Sequence, residues 1–342
     1  MPPRSPAPDV IPDTDRAAGI TWGDLVSSLI QEHGTLTQVA WKLVEQADRA
    51  KTDLDVASVE RALRRLRTRG QRDGGAWGQR LVRMFGMPAA IEDRVRWLGH
   101  YHSPFNDLPV ALCLDQLRLW DRPPMSGSRT RLWIQLGLTT CALRTRRIDD
   151  ARVHVRRVAE ALAPLGVEST AARIELALVE GFLASRDGGD VDAALERAAS
   201  LLATAELTAI DRACFEARLA DQRAYQRNKA GDHAAGLEIY EALPKLDTHP
   251  FASYRRDAGL AYGYHHTGRP LEALVVVMHA IEHAGDGGYT RLRAMGLLML
   301  SRITDDPSLR TSSLARARAI GTRLGDDELL ARAAKLADSL PR

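Results

Sequence analysis

Apolar residues return at intervals of three and four along nearly the whole chain. Nowhere does a period of two persist long enough to suggest a strand, so the pattern predicts an all-α protein. Trp22, Leu25, Val26, Leu29 and Ile30 mark a first helical face, opened by Thr21 as N-cap and closed by Gly34. Leu36, Val39, Ala40, Leu43, Val44 and Ala47 mark a second. Asp55 is placed to cap a third, with Val56, Val59, Leu63 and Leu66 turned inward and Gly70 at its end. Trp77, Leu81, Val82 and Phe85 define a fourth, stopped by Gly86, and Pro88 opens the next. A helical head is therefore expected over 20–100, behind a proline-rich, disordered lead over 1–19. The pattern loosens over 101–127, where one helix from about Asp107 to Trp120 is followed by Pro123, Pro124 and Gly127, and a linker region is expected there.

From 128 to 342 the spacing repeats. Leu260, Ala261, Tyr264, Gly268, Ala273, Val277 and Ala280 stand where one tetratricopeptide helix pair has its packing residues, and this part of the chain resembles a tetratricopeptide array. The preceding pair matches in part through Ala224, Gly231, Gly236, Tyr240 and Leu243, with Arg227 where an aromatic is expected. Gly231 and Gly268 are 37 residues apart, near the family period of about 34. Gly189, Ala194, Ala198 and Leu201 suggest an earlier pair, and Ala151 with Val155 a weaker one. A different α-hairpin solenoid remains the alternative. Leu314 to Leu340 reads as a last pair with a capping helix. A helix pair of this kind cannot bury its apolar face alone, so it stacks on neighbours and presents a groove.

With 342 residues, 45% of them hydrophobic and 27% charged, the chain is long enough for a substantial core. Its three cysteines lie far apart without paired spacing, which suggests neither a zinc knuckle nor a disulfide framework. No apolar run reaches the roughly 20 residues that cross a bilayer, and no secretory signal is legible, so a cytoplasmic protein without membrane partners is expected. Net charge is only +3, yet the segment from Asp55 to Gly86 holds eight arginines against three acids. A local excess of that kind points to an anionic partner.

On the third helix Ser58, Arg61, Arg64, Arg65 and Thr68 fall opposite the apolar face. Guanidinium forks match phosphate oxygens and the edge of guanine, which is the chemistry of a helix that enters the major groove of double-stranded DNA. With the helix beginning Thr35-Leu36-Thr37-Gln38 before it, the segment resembles the helix-turn-helix head of bacterial regulators, although the connection is longer than that motif's turn. A solvated arginine face or an acidic protein partner are the other readings. Head and array together resemble peptide-responsive bacterial transcriptional regulators. That resemblance implies a peptide or protein ligand in the repeat groove, and a homodimer reading two DNA half-sites. The expected groove residues are Arg218, Asp221, Tyr225, Asn228 and Lys229 on one repeat and Arg255, Tyr262, His265 and His266 on the next. The rival is a non-DNA-binding scaffold that mediates protein–protein interaction.

Catalytic chemistry finds little footing. His279, Glu282 and His283 stand in the order seen in inverted zinc peptidases, but Ala280 inside the string is a packing position and no further acidic ligand is placed. His100 and His102 lie in a loop before Pro104 without a cysteine or carboxylate cluster nearby, and the Asp73-Gly74-Gly75 and Asp286-Gly287-Gly288 segments lack the lysine and hydroxyl of a phosphate loop. The expectation is a non-enzymatic protein with no catalytic residue, no metal and no cofactor.

Overall fold

The computed structural model describes residues 19–49, 55–69, 74–166, 169–244 and 249–339. Among these, seventeen α-helices and short 3-10 turns account for all regular structure, and no strand occurs. Most of the proline-rich lead, Gly70 and Asp73 lie outside the described residues. Contacts divide the chain into two units. The first holds the described residues up to Glu92 together with Gln116–Arg131, and the second holds Asp93–Asp115 and everything from Leu132 onward. The segment 101–127, expected as a linker, is thus shared between the two. It contains a 3-10 turn at Pro104–Asp107, a helix from Val110 to Trp120 and another 3-10 turn at Met125–Gly127.

The first unit is built on α1 (Trp22–His33), α2 (Leu36–Arg49), α3 (Val56–Arg69) and α4 (Gly75–Phe85). Thr21 and Asp24 form a reciprocal capping box that starts α1, and Gly34, at φ 102°, ends it. Asp55 starts α3 by accepting from the backbone N–H groups of Ala57 (3.1 Å) and Ser58 (3.0 Å). Leu25, Val26 and Leu29 of α1, Val39, Ala40 and Leu43 of α2, and Val59, Leu63 and Leu66 of α3 are all buried, so three amphipathic stripes share one core. Trp22 closes its end: a Cβ at Gly74 or Gly78 would overlap the indole, which lets α4 approach α1 closely. The returning segment Gln116–Arg131 adds buried Leu117, Trp120 and Met125, and Thr130 donates to Glu92 (2.9 Å).

The second unit holds α5 (Ala89–Gly99) from Asp93 and α6 (Val110–Trp120) up to Asp115, then the array. The array comprises α7 (Arg131–Arg144), α8 (Ile148–Leu162), α9 (Thr170–Asp187), α10 (Val191–Thr204), α11 (Ala209–Lys229), α12 (His233–Glu241), α13 (Pro250–His266), α14 (Pro270–Asp286), α15 (Thr290–Ile303), α16 (Pro307–Leu324) and α17 (Asp327–Ser339). From α9 onward each odd-numbered helix packs on the next odd one, forming an inner row, while even helices lie between consecutive members. This is an all-helical arrangement compatible with an α-solenoid. Successive odd helices from α7 begin 39, 39, 41, 40 and 37 residues apart, longer than the roughly 34 of a tetratricopeptide. The turns α7–α8, α11–α12 and α13–α14 share one device: the N–H groups of Arg147, Asp232 and Arg269 reach back to the carbonyls of Ala142, Arg227 and Tyr264. The left-handed residue this requires is Gly231 or Gly268 in two of them and Arg146, at φ 57°, in the third.

Charged rungs tie the inner row together. Arg218 of α11 grips Glu175 of α9 with two bonds (2.6 and 2.7 Å), and both side chains are buried. Arg255 of α13 donates to Asp221 of α11 (2.6 Å), which also accepts from the Tyr240 hydroxyl (2.8 Å). Arg144 of α7 and Arg291 of α15 both donate to Asp326, at 2.8 and 2.7 Å, joining the first helix of the array to the turn before the last. Buried pairs add little net stability against apolar replacements, but losing one partner strands a charge, so they hold the stack in register.

Candidate nucleic-acid interface and ligand cavity

The α3 face in the first unit is open. Ser58, Arg61, Arg64, Arg65 and Thr68 are all exposed, while Val59, Leu63 and Leu66 on the opposite side are buried. Several of these polar groups are held in place. Ser58 donates to Asp55 (2.7 Å), Arg61 donates to Ser58 (3.0 Å), and Thr68 donates to the Arg64 carbonyl (3.0 Å). Arg64 lies 3.6 Å from Glu60, a carboxylate that also accepts from Thr37 of α2 (2.8 Å). Arg65 forms no ion pair among the described residues. Three guanidinium groups within little more than one helical turn thus project from a packed helix, with Ser58 beside Arg61 and Glu60 beside Arg64, which is a surface suited to phosphate oxygens. Helix α2 runs to Arg49 and α3 starts at Val56, so six residues connect them; five of these, 50–54, lie outside the described residues.

The second unit encloses a cavity of about 1080 Å³ bounded by the inner row and by Tyr101. Of the residues expected in the repeat groove, Arg218, Asp221, Tyr225, Asn228, Lys229, Arg255 and Tyr262 line it, and His265 and His266 do not. His266 instead stacks on His233 at 4.4 Å and meets Tyr262 at 4.3 Å, with His265 beside it at 5.1 Å. Burial, followed by the neighbouring His233, pushes the His266 imidazole down to about 4, so it is neutral near pH 7. The lining residues are unequally free. Arg218, Asp221 and Arg255 are engaged in the charged rungs, Asn228 pairs with His233 (3.1 Å), and Lys229 donates to the Ser185 carbonyl (3.3 Å). Tyr225 is 54% exposed.

Beyond Arg218, Lys229 and Arg255, sequence periodicity did not single out the residues that give this cavity its charge. Arg144, Arg146, Arg186, Arg291, Arg302, Arg332 and Lys335 also line it, against only Asp221 and Glu328 as acids. Tyr101 comes from the irregular segment before α6, where no repeat position could announce it. Its hydroxyl accepts from Arg255 (3.1 Å) and Arg291 (3.5 Å), and the Arg218 guanidinium lies 4.4 Å from its ring centroid. Burial raises the phenol's pKa, but Arg255, Arg291 and Arg218 together outweigh that and leave it below the ordinary tyrosine value.

Asp211, more than a hundred residues on in sequence, supplies the carboxylate that meets His100 and His102. Its side chain lies 3.7 Å from His100 Nδ1 and 3.1 Å from His102 Nε2, and donor atoms of all three residues fall within 4.8 Å of one another. The donor set fits a metal ion poorly. Arg96 already donates to Asp211 (2.6 Å), and the outer nitrogens, His100 Nε2 and His102 Nδ1, have no hydrogen-bond partner where a ligating imidazole ordinarily donates to one. The rings pack edge-on to Phe215 at 5.5 and 5.4 Å, and His100 meets Trp133 at 4.8 Å. The arrangement is that of a knot joining the chain after α5 to the start of α11. Of the other string, His279 and Glu282 are exposed and His283 lies 3.5 Å from Asp257. Cys214 sits 3.2 Å from His249, but burial pushes its thiol up to about 12 and keeps it from acting as a thiolate. No helix among the described residues is long and apolar enough to cross a membrane. Compared with known proteins, the chain matches no family model, no curated protein and no solved structure.

Proposed function

We propose that the protein is a DNA-binding transcriptional regulator whose second unit senses a peptide or protein ligand. The observation that carries this reading is the outward arginine face of α3, fixed on a shared three-helix core. A cavity bounded by stacked helices and rich in arginine and tyrosine supports the sensing half. A homodimer belongs to the proposal, because one recognition helix reaches too few bases for useful specificity and two half-sites roughly double the readout. It would act in the cytoplasm, as a binding protein with no catalytic step and no cofactor.

Binding of the full chain to random duplex DNA, titrated across salt, tests it. Affinity should fall steeply as salt rises, and Arg61→Ala and Arg65→Ala should each reduce the logarithmic salt slope by about one while leaving the fold intact by circular dichroism. One observation favours a second reading, a scaffold without DNA: the six-residue connection between α2 and α3 exceeds the 3–4 residues usual for a helix-turn-helix. Indifference to duplex DNA at low salt would leave the scaffold standing.

A further inference from the structure

Building on the reading of the cavity as a ligand groove, we infer that its floor is an anion subsite, centred on the Tyr101 hydroxyl, that takes a carboxylate of an acidic peptide. The hydroxyl oxygen accepts from both Arg255 Nη2 (3.1 Å) and Arg291 Nη1 (3.5 Å), which uses its two lone pairs. The proton is the polar function it has left, and no group among the described residues accepts it. Arg255 Nε and Arg144 Nη2 are likewise buried without a hydrogen-bond partner, although both side chains line the cavity. A buried N–H without an acceptor is costly, so unpaired donors on two of the arginines that line the cavity favour an oxyanion guest beside the Tyr101 hydroxyl. Surrounding guanidiniums that acidify the phenol make it the stronger donor.

Charge on the walls points the same way. Eight arginines and two lysines line the cavity against two lining acids, both already engaged, Asp221 by Arg255 and Glu328 by Arg186 and Arg332; even with Glu175 behind Arg218 and Asp326 behind Arg144 and Arg291, four carboxylates answer ten cations. The guest therefore brings the missing negative charge. At about 1080 Å³ the space is at the top of the roughly 300–1,000 Å³ range of small-ligand pockets. Tyr225 and Tyr262 add aromatic faces on which side chains can lie. Both features suit a short chain of residues better than a free small anion.

Fluorescein-labelled hexaglutamate, followed by anisotropy with the full chain, is the probe, beside hexaglutamine and hexalysine of the same length. Hexaglutamate should bind in preference to both. Tyr101→Phe, which keeps the ring under Arg218, should weaken it about tenfold without changing hexaglutamine. Arg302→Glu with Lys335→Glu, two exposed wall positions where folding is not at stake, should weaken it several-fold. Equal affinity for hexaglutamine, or no effect of Tyr101→Phe, overturns the subsite while leaving a peptide groove in place. Displacement of the probe by an equal concentration of inorganic pyrophosphate overturns the peptide in favour of a small anion. If none of the three hexapeptides binds, the groove reading fails with it.

Discussion

His100 shows at single-residue scale what the fold adds to the sequence. Burial, followed by the neighbouring His102 and Arg96, holds its imidazole well below the ordinary 6.5, so the folded protein keeps it neutral where the unfolded chain protonates it. The unfolded state then binds more protons below pH 6.5, and stability contributed by His100 is present above that pH and lost as the pH falls. Asp107 opposes this, since burial raises its carboxyl to about 6; its contribution is full below 3.8 and is lost as pH rises through 6. The comparison that isolates His100 is therefore wild type against His100→Gln in urea unfolding at pH 7.5 and 5.0. The wild type should lose about 2 kcal/mol more than the variant over that interval. Equal losses would mean the imidazole titrates normally. Neither histidine nor Asp211 announces this arrangement in sequence, because more than a hundred residues separate them. The same limit applies to Arg218, Asp221 and Arg255: periodicity gives the face on which each lies, whereas Glu175, Asp221 and Tyr101 as their partners come from neighbouring helices or from the irregular segment.

At the scale of elements, helices with one wet face were the legible ones. Of the inward sets read from the sequence, Trp22, Leu25, Val26 and Leu29 of α1, Val39, Ala40 and Leu43 of α2, and Val59, Leu63 and Leu66 of α3 are buried, whereas Ile30, Leu36, Val44 and Val56 are half-buried, because an amphipathic stripe writes its own period into the sequence but not its edges. Helix α7 is different: its residues from Ile134 to Ala142 are all buried, so no polar face marks its orientation. The inner row also depends on absences of side chain that a periodicity count passes over. Gly259 of α13 faces Tyr240 of α12, and a methyl there would overlap the ring; Gly263, one turn on, would meet Leu237 at 2.8 Å. Alanine ordinarily favours a helix over glycine by about 1 kcal/mol. Gly259→Ala should nevertheless destabilise the protein, by about 1–3 kcal/mol in denaturant unfolding, because Tyr240 is anchored to Asp221 and has no room to yield. A gain in stability would show that α12 can slide outward.

For the molecule as a whole, the path of the chain decides what can unfold together. The first unit is discontinuous, with Gln116–Arg131 returning to residues before Glu92, and composition around Pro123 and Pro124 records a break in helicity without recording which neighbours the flanking residues meet. Leu117 belongs to that returning segment and is wholly buried. Truncating such a leucine to alanine costs about 2–5 kcal/mol. If each unit is one cooperative body, the loss falls on all of its helices at once and on none of the other's. Native-state hydrogen exchange of the full-length Leu117→Ala variant should then show faster exchange throughout α1 to α4, which end at Phe85, far from Leu117 in sequence, with α9 and α10 unchanged. Acceleration confined to α6 would reduce Gln116–Arg131 to a local strap. Equal acceleration in α9 and α10 would make the two units a single cooperative body, and a ligand bound among the inner helices would then act on the arginine face of α3 through global stability, with no separate hinge required.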